Sequence, residues 1–150
     1  MKILIVEDDY SQADWLVLQI TDRFKDYSID LIETELEFRT KIKTIEDNPP
    51  ELILMDIMLR WTNPSPEMVK PPIDIAKSGI FDAGFRCQNL LKQSEKTRNI
   101  QIIFYSVLDK DDLESKLKNM PSNVVHLKKE ANMAPLFNQM RKALKIRRVK

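Results

Sequence analysis

Residues Glu51–Leu59 read ELILMDIML, and this stretch decides the fold. Leu52–Met55 is an unbroken apolar run, with Asn48-Pro49-Pro50 before it and a proline-rich stretch after it. A short apolar run between turn signals predicts a strand buried on both faces, typically the middle of a parallel sheet. The run ends on a carboxylate, Asp56. Open α/β sheets bind their ligands in the crevice beyond the strand ends, which is where Asp56 falls. A lone Asp in that place serves equally well to cap a following helix, so its meaning depends on what the other strands carry.

Working outward, Ile3–Val6 is a second buried strand and ends in Glu7-Asp8-Asp9. Ala13, Val17, Ile20 and Phe24 recur at helical spacing, which predicts a helix from Ser11 to about Phe24. Ser28–Glu33 reads as a shorter alternating strand. Thr34-Glu35-Leu36-Glu37 has the form of a capping box opening a helix to about Glu46, with Leu36 and either Ile42 or Ile45 turned inward. Arg60–Ala83 is irregular and holds four of the eight prolines. Helix Gly84–Lys92, strand Ile100–Tyr105, helix Asp109–Asn119 with Asp109 as its cap, and strand Val124–Leu127 follow. Met133, Leu136, Phe137, Met140 and Leu144 mark a last helix, which tolerates Pro135 only in its first turn. Five strands alternating with five helices predict an α/β fold: a doubly wound, five-stranded parallel sheet with helices on both faces and right-handed crossovers.

Composition narrows the function. A chain of 150 residues suggests one domain with a sizeable core. With 24 basic and 23 acidic side chains the formal net charge is +1, which gives no global drive toward nucleic acid or membrane. The single cysteine, Cys87, excludes an intrachain disulfide and fits a reducing compartment, with helix packing as its role. MKILIVEDD turns acidic too early for a secretory signal, and no apolar run approaches a membrane span. The chain reads as a soluble, cytoplasmic domain.

The strand ends would gather Glu7, Asp8 and Asp9, then Asp56, then Ser106, then Lys128 and Lys129 at one edge of the sheet. Carboxylates brought together repel, and a hard divalent cation such as Mg²⁺ relieves the repulsion. A carboxylate in such a place can act as a nucleophile toward a phosphoryl group. Lysine and hydroxyl donors would then hold the phosphoryl oxygens and stabilise the charge in transfer.

These residues give the chain a resemblance to the receiver domains of two-component response regulators. ILIVEDD at Ile3–Asp9, LILMD at Leu52–Asp56, Gly84, IIFYS at Ile102–Ser106 and HLKK at His126–Lys129 carry it, and it covers nearly all 150 residues. The resemblance implies a flavodoxin-like sheet of order 2-1-3-4-5, with an insertion at about residues 60–83. It implies Asp56 as phosphoacceptor and Asp8 as a direct Mg²⁺ ligand. Glu7 would act on the metal through water, and the backbone carbonyl of Met58 would also reach it. Ser106 would be the switch hydroxyl and Lys129 the site lysine, with Lys128 in its place if the strand register slips by one. Leu136 falls where the family's last helix has an inward Leu. The implied partners are a histidine kinase or phosphotransfer protein that donates the phosphoryl group, a downstream protein, and a second copy of the chain as a homodimer; no membrane or nucleic-acid partner is implied.

The chain departs from the pattern in four places. Glu130 stands where the family usually has Pro, His126 replaces the switch Tyr or Phe, and Val107 is larger than the usual small residue. The connection from Asp56 to Gly84 is far longer than the family's. Trp61, Met68, Val69, Ile73, Ile75, Ile80 and Phe81 give the insertion apolar material, and its prolines lower the entropy lost on ordering. It is expected to be at least partly ordered against the helix that follows or the neighbouring loops. Two other functions use the same residues. One is a degenerate receiver that acts as a constitutive docking module. The other is a Mg²⁺-dependent phosphatase of the haloacid dehalogenase type; it requires Asp-x-Asp, which neither Asp56-Ile57-Met58 nor Glu7-Asp8-Asp9 provides. The resemblance also implies that Met58 and Leu108 flank the path of water to Asp56; both are apolar and bulky, which implies slow self-dephosphorylation. The final RKALKIRRVK carries six basic side chains and reads either as a solvated helix end or as a patch for an acidic partner or nucleic acid.

Overall fold

The computed structural model of the chain describes residues 1–67 and 70–145. The basic run from residue 146 onward, and Met68 and Val69 of the insertion, lie outside the described residues. Five parallel strands form one sheet in the order β2-β1-β3-β4-β5. They are β1 (Lys2–Val6), β2 (Ser28–Ile32), β3 (Leu52–Met55), β4 (Gln101–Ser106) and β5 (Val124–Lys128). All four residues of β3 are buried, as a central strand covered on both faces requires. Period-two alternation sends successive residues to opposite faces. Leu4, Val6, Ile53, Met55, Ile102 and Phe104 form one core with Phe38, Ile45, Cys87 and Leu91. Ile3, Ile5, Leu52, Leu54, Ile103 and Tyr105 form the other with Leu16, Ile20, Leu136, Phe137 and Met140. Cys87 is buried in helix packing, and its thiol pKa is pushed up by burial.

Helix α1 (Tyr10–Arg23) starts one residue before the expected Ser11, because Asp9 caps it by accepting from Gln12 N at 3.0 Å. Asp9 is thereby spent on the helix and is withdrawn from the carboxylates expected at the sheet edge. Thr34 caps the next helix through Glu37 N, as the capping box predicts. That helix does not run straight to Glu46. It bends at Lys41 into α2 (Glu35–Thr40) and α3 (Ile42–Asp47). Thr40 Oγ1 bonds back to Leu36 O at 2.8 Å, a contact that bends helices. Phe38 takes the buried place expected of Leu36, while Ile45 is inward as read.

The segment expected as helix Asp109–Asn119 shrinks to a 3₁₀ turn, Asp111–Leu113, and a single α turn, Glu114–Leu117. Asp109 makes no cap there; its carboxylate pairs with Lys128 at 2.5 Å instead. The insertion itself folds a short helix, α4 (Ile73–Ser78), that the proline-rich sequence does not announce. Gly79, at φ +68, ends α4 in the left-handed region that glycine tolerates. Helix α5 (Ala83–Lys92) then packs on the sheet, α6 is the turn Glu114–Leu117, and α7 (Ala134–Ala143) opens with Pro135 in its first turn. No helix among the described residues is long and apolar enough to cross a membrane.

The insertion is docked rather than free. Its two ends meet where Leu59 N donates to Ile80 O at 3.3 Å. Arg60 O and Trp61 O accept from Glu35 N and Leu36 N, at 2.9 and 3.0 Å, at the start of α2. Glu35 is 1 % exposed and is held by Arg86 from α5, with Nη2 at 2.6 Å from Oε1 and Nε at 2.9 Å from Oε2. Arg86 also donates to Gly79 O and Ser78 Oγ, so one guanidinium joins α2, α5 and the insertion. Removing one partner of a buried ion pair leaves the other charge unpaired. Arg39 remains beside Glu35 at 3.1 Å and softens the loss. Arg86→Ala is expected to cost about 3 kcal/mol and to expose residues 70–83 to protease; denaturant unfolding and limited proteolysis check both.

Candidate functional site

The register of the sheet brings the acidic strand ends together. Val6 pairs with Met55, so the next residues, Glu7 and Asp56, lie side by side. Glu7 N donates to Ile32 O at 3.0 Å and Asp56 N to Val6 O at 2.9 Å, which fixes both backbones as extensions of the sheet. Glu7, Asp8 and Asp56 each offer a carboxylate oxygen, and these oxygens all lie within 4.8 Å of one another. Ser106 closes β4 fully buried, with its Oγ accepting from Leu108 N at 3.2 Å.

The two lysines are separated by the pleat. Lys128 is the last residue of β5, opposite Ser106. Its side chain turns outward to Asp109. Lys129 is one step further; its N–H donates to Ser106 O at 2.7 Å and its side chain points the other way, into the site. Lys129 Nζ lies 3.0 Å from Asp56 Oδ2 and 3.1 Å from Glu7 Oε1. Asp56 is oriented from its other side as well: Oδ1 accepts from Ile57 N at 2.7 Å and Met58 N at 3.3 Å.

Gly84 is what lets this edge close. Its N–H donates to Ile57 O at 2.8 Å as α5 begins. A Cβ there would stand 2.6 Å from Asp56 O and 2.7 Å from Ile57 Cα. Only glycine allows the helix backbone this near the strand end.

Electrostatics at the site are strained by design of the cluster. The Glu7 carboxyl is pushed up to about 8, first by burial and then by the hydrogen bond and charge of Asp56; Lys129 opposes this without cancelling it. Asp8 is raised mainly by burial, against the hydrogen bond from Arg60. Burial alone would lower Lys129, but Asp56 and Glu7 outweigh it and hold its pKa above the ordinary lysine value. An acid whose pKa is raised on folding keeps a proton that the unfolded chain has released, so stability falls as pH rises. Without divalent cations, stability is therefore expected to fall between about pH 4.5 and 8, the ordinary and folded values for Glu7. Glu7→Gln should flatten that slope and add on the order of 2 kcal/mol at pH 8, as denaturant melts across pH would show.

Oxygen-only ligands and few carboxylates suit Mg²⁺, so the residues present fit the ion that the sequence implies. Two contacts escaped the sequence reading. Arg60 N donates to Asp8 Oδ2 at 2.9 Å, and the Arg60 guanidinium Nε lies 3.8 Å from the same oxygen. His126, at the position of the usual switch aromatic, is half-buried; its Nε2 has no partner among the described residues, and burial lowers its pKa.

No family model matches the chain, and no curated protein does. Solved structures do. The chain is similar to the signal receiver domain of a signal transduction histidine kinase from Syntrophus aciditrophicus, with 21% identity and a TM-score of 0.64 over 99% of this chain and 94% of that one. A response regulator from Desulfuromonas acetoxidans matches with 19% identity and a TM-score of 0.62, over 97% of each chain. The receiver domain of a sensor histidine kinase from Pseudomonas aeruginosa, which has a magnesium ion coordinated in its active site cleft, matches with 18% identity and a TM-score of 0.62, over 96% of this chain and 97% of that one. The fold is therefore the receiver-domain fold, and the likeness covers nearly the whole chain.

Proposed function

We propose that residues 1–150 form one receiver domain of a two-component or phosphorelay system, with an insertion at about 60–83, and that Asp56 is its phosphoacceptor. One observation carries the reading: Lys129 Nζ sits 3.0 Å from Asp56 Oδ2 and 3.1 Å from Glu7 Oε1, so the ends of three strands converge on one carboxylate. The receiver-domain fold of the structural neighbours supports it, as does the magnesium ion in the cleft of one of them.

The chemistry follows from the chain's own groups. A carboxylate oxygen of Asp56 attacks the phosphorus of a phosphohistidine or of a small acyl phosphate. The new O–P bond forms as the bond to the leaving nitrogen or oxygen breaks, and the leaving group keeps that electron pair. The amides of Ile57 and Met58 hold Asp56 Oδ1 and keep the carboxylate oriented. Lys129 supplies a buried positive charge next to the oxygens on which charge develops. Ser106, buried at the end of β4, offers the hydroxyl that would answer the new phosphoryl group. Glu7, Asp8, Asp56 and the Met58 carbonyl would hold Mg²⁺, whose charge offsets that of the incoming phosphoryl oxygens. Met58 and Leu108 give water no base or hydrogen-bonding side chain, which favours a long-lived acyl phosphate. The domain is not an enzyme toward other substrates: it would catalyse only its own phosphorylation and slow dephosphorylation. A cytoplasmic histidine kinase or phosphotransfer protein would donate, and a downstream protein or a second copy would read the result.

A docking module that is never phosphorylated has less to recommend it, because Lys129 pairs with both Glu7 and Asp56, and Asp8 offers a carboxylate oxygen within 4.8 Å of theirs. Acetyl phosphate with Mg²⁺ tests the reading through the two lysines. Lys129→Ala should slow labelling by about 10- to 100-fold, whereas Lys128→Ala, whose side chain faces Asp109, should label nearly as fast as the unmodified chain. The reverse order would remove Lys129 from the mechanism.

A further inference from the structure

The insertion and the acidic site meet at Arg60. Its N–H donates to Asp8 Oδ2 at 2.9 Å, and its Nε lies 3.8 Å from that oxygen. On the other side of the same residue, Arg60 O accepts from Glu35 N, and Trp61 O accepts from Leu36 N. Glu35 continues the connection through Arg86 to Ser78 and Gly79 at the far end of the insertion. A line of hydrogen bonds thus runs from a proposed metal ligand through Arg60 to the start of α2 and around the inserted segment.

The two cations of the site are divided. Lys129 serves Glu7 and Asp56, and Arg60 serves Asp8. A guanidinium beside a carboxylate repels any second cation that the carboxylate takes up. The bond from Arg60 N–H also fixes how the Asp8 carboxylate is turned, and Mg²⁺ is strict about ligand geometry. We infer that Arg60 is a positioning residue that competes with the divalent cation for Asp8, and that filling the site therefore loosens the attachment of Arg60 and Trp61 to α2. The inference rests on the reading of Glu7, Asp8 and Asp56 as a divalent-cation site. Linkage makes the effect reciprocal: whatever holds the insertion firmly on α2 weakens cation binding, and a partner that lifts the insertion strengthens it. The inserted segment would thus be a second readout of the site, separate from Ser106.

Calorimetric titration with MgCl₂ and amide exchange, both on the full chain, test it. Arg60→Gln removes the charge and keeps the backbone bond. It should bind Mg²⁺ about two- to fivefold more tightly, the range expected for a half-exposed pair, and Arg60→Lys should stay near the unmodified chain. Saturating Mg²⁺ should speed exchange at the Glu35 and Leu36 amides severalfold, while amides in the middle of β1 and β3 stay protected. Equal affinity in Arg60→Gln, or Glu35 and Leu36 amides that do not respond to Mg²⁺, would overturn the inference and leave the cation site standing. Absence of saturable Mg²⁺ binding in the unmodified chain would overturn the cation site itself, and the inference with it.

Discussion

Asp56→Asn is expected to take up no phosphoryl group from acetyl phosphate and Mg²⁺ under conditions that label the unmodified chain. The amide is isosteric, so it still accepts from the Ile57 and Met58 amides that hold Oδ1 now. It carries no negative charge and is not a competent nucleophile. The fold should survive, because the change also relieves crowding: Asp56, at 8 % exposure, is the carboxylate that presses on Glu7. Stability at neutral pH should rise or stay level rather than fall. Intact-mass measurement after incubation, with a thermal melt on the same sample, checks both halves. Full labelling of the variant would remove Asp56 from the role.

The second large effect concerns a residue with no functional group. Gly84→Ala places a Cβ 2.6 Å from Asp56 O and 2.7 Å from Ile57 Cα. Both neighbours are backbone, so neither can swing aside, and the start of α5 and the end of β3 must separate. Overpacking of this kind costs about 2–3 kcal/mol. The displaced peptide also carries the amides that orient Asp56, so labelling should slow even at temperatures where the variant is folded. Denaturant unfolding gives the first quantity and the labelling rate the second. A variant as stable and as quickly labelled as the unmodified chain would mean that the two backbones are not held this close in solution.

The parts of this protein that the sequence reveals are those set by local pattern. Leu52–Met55 and Ile3–Val6 are unbroken apolar runs because the strands are covered on both faces, and the same fact puts Asp56 and Glu7 at the open edge. That only one of Lys128 and Lys129 can face inward is legible too, from a strand's period of two; which one depends on the register, and the sequence leaves both open. What is not legible depends on partners far along the chain. Glu35 reads as an ordinary polar residue of a capping box, yet it is buried because Arg86 arrives 51 positions later. Arg60 reads as the first residue of an irregular segment, and its contact to Asp8 spans 52 positions. No periodicity announces either. Asp109 misleads for a related reason: two acceptor roles were open to it, and Lys128 across the loop takes the carboxylate that would have capped a helix. The bend at Lys41 turns on one hydroxyl, that of Thr40, choosing Leu36 O.

The arrangement of insertion and site gives these observations a common sense. Glu35, Arg86 and Arg60 tie the segment from Arg60 to Gly79 to the start of α2 and to α5. Ile73 and Phe81 remain largely exposed on that segment, at 77 % and 61 %.

The central claim is that Asp56 becomes an acyl phosphate, and chemical mapping tests it most directly. The unmodified chain is incubated with acetyl phosphate and Mg²⁺, the product is reduced with borohydride, and the digest is analysed by peptide mass. Reduction converts a phosphorylated Asp to homoserine and leaves other carboxylates untouched. The account predicts homoserine at Asp56 alone, and its disappearance when Mg²⁺ is removed by chelation. Homoserine at Asp8 or Asp9, or a chain that stays unmodified throughout, would contradict it.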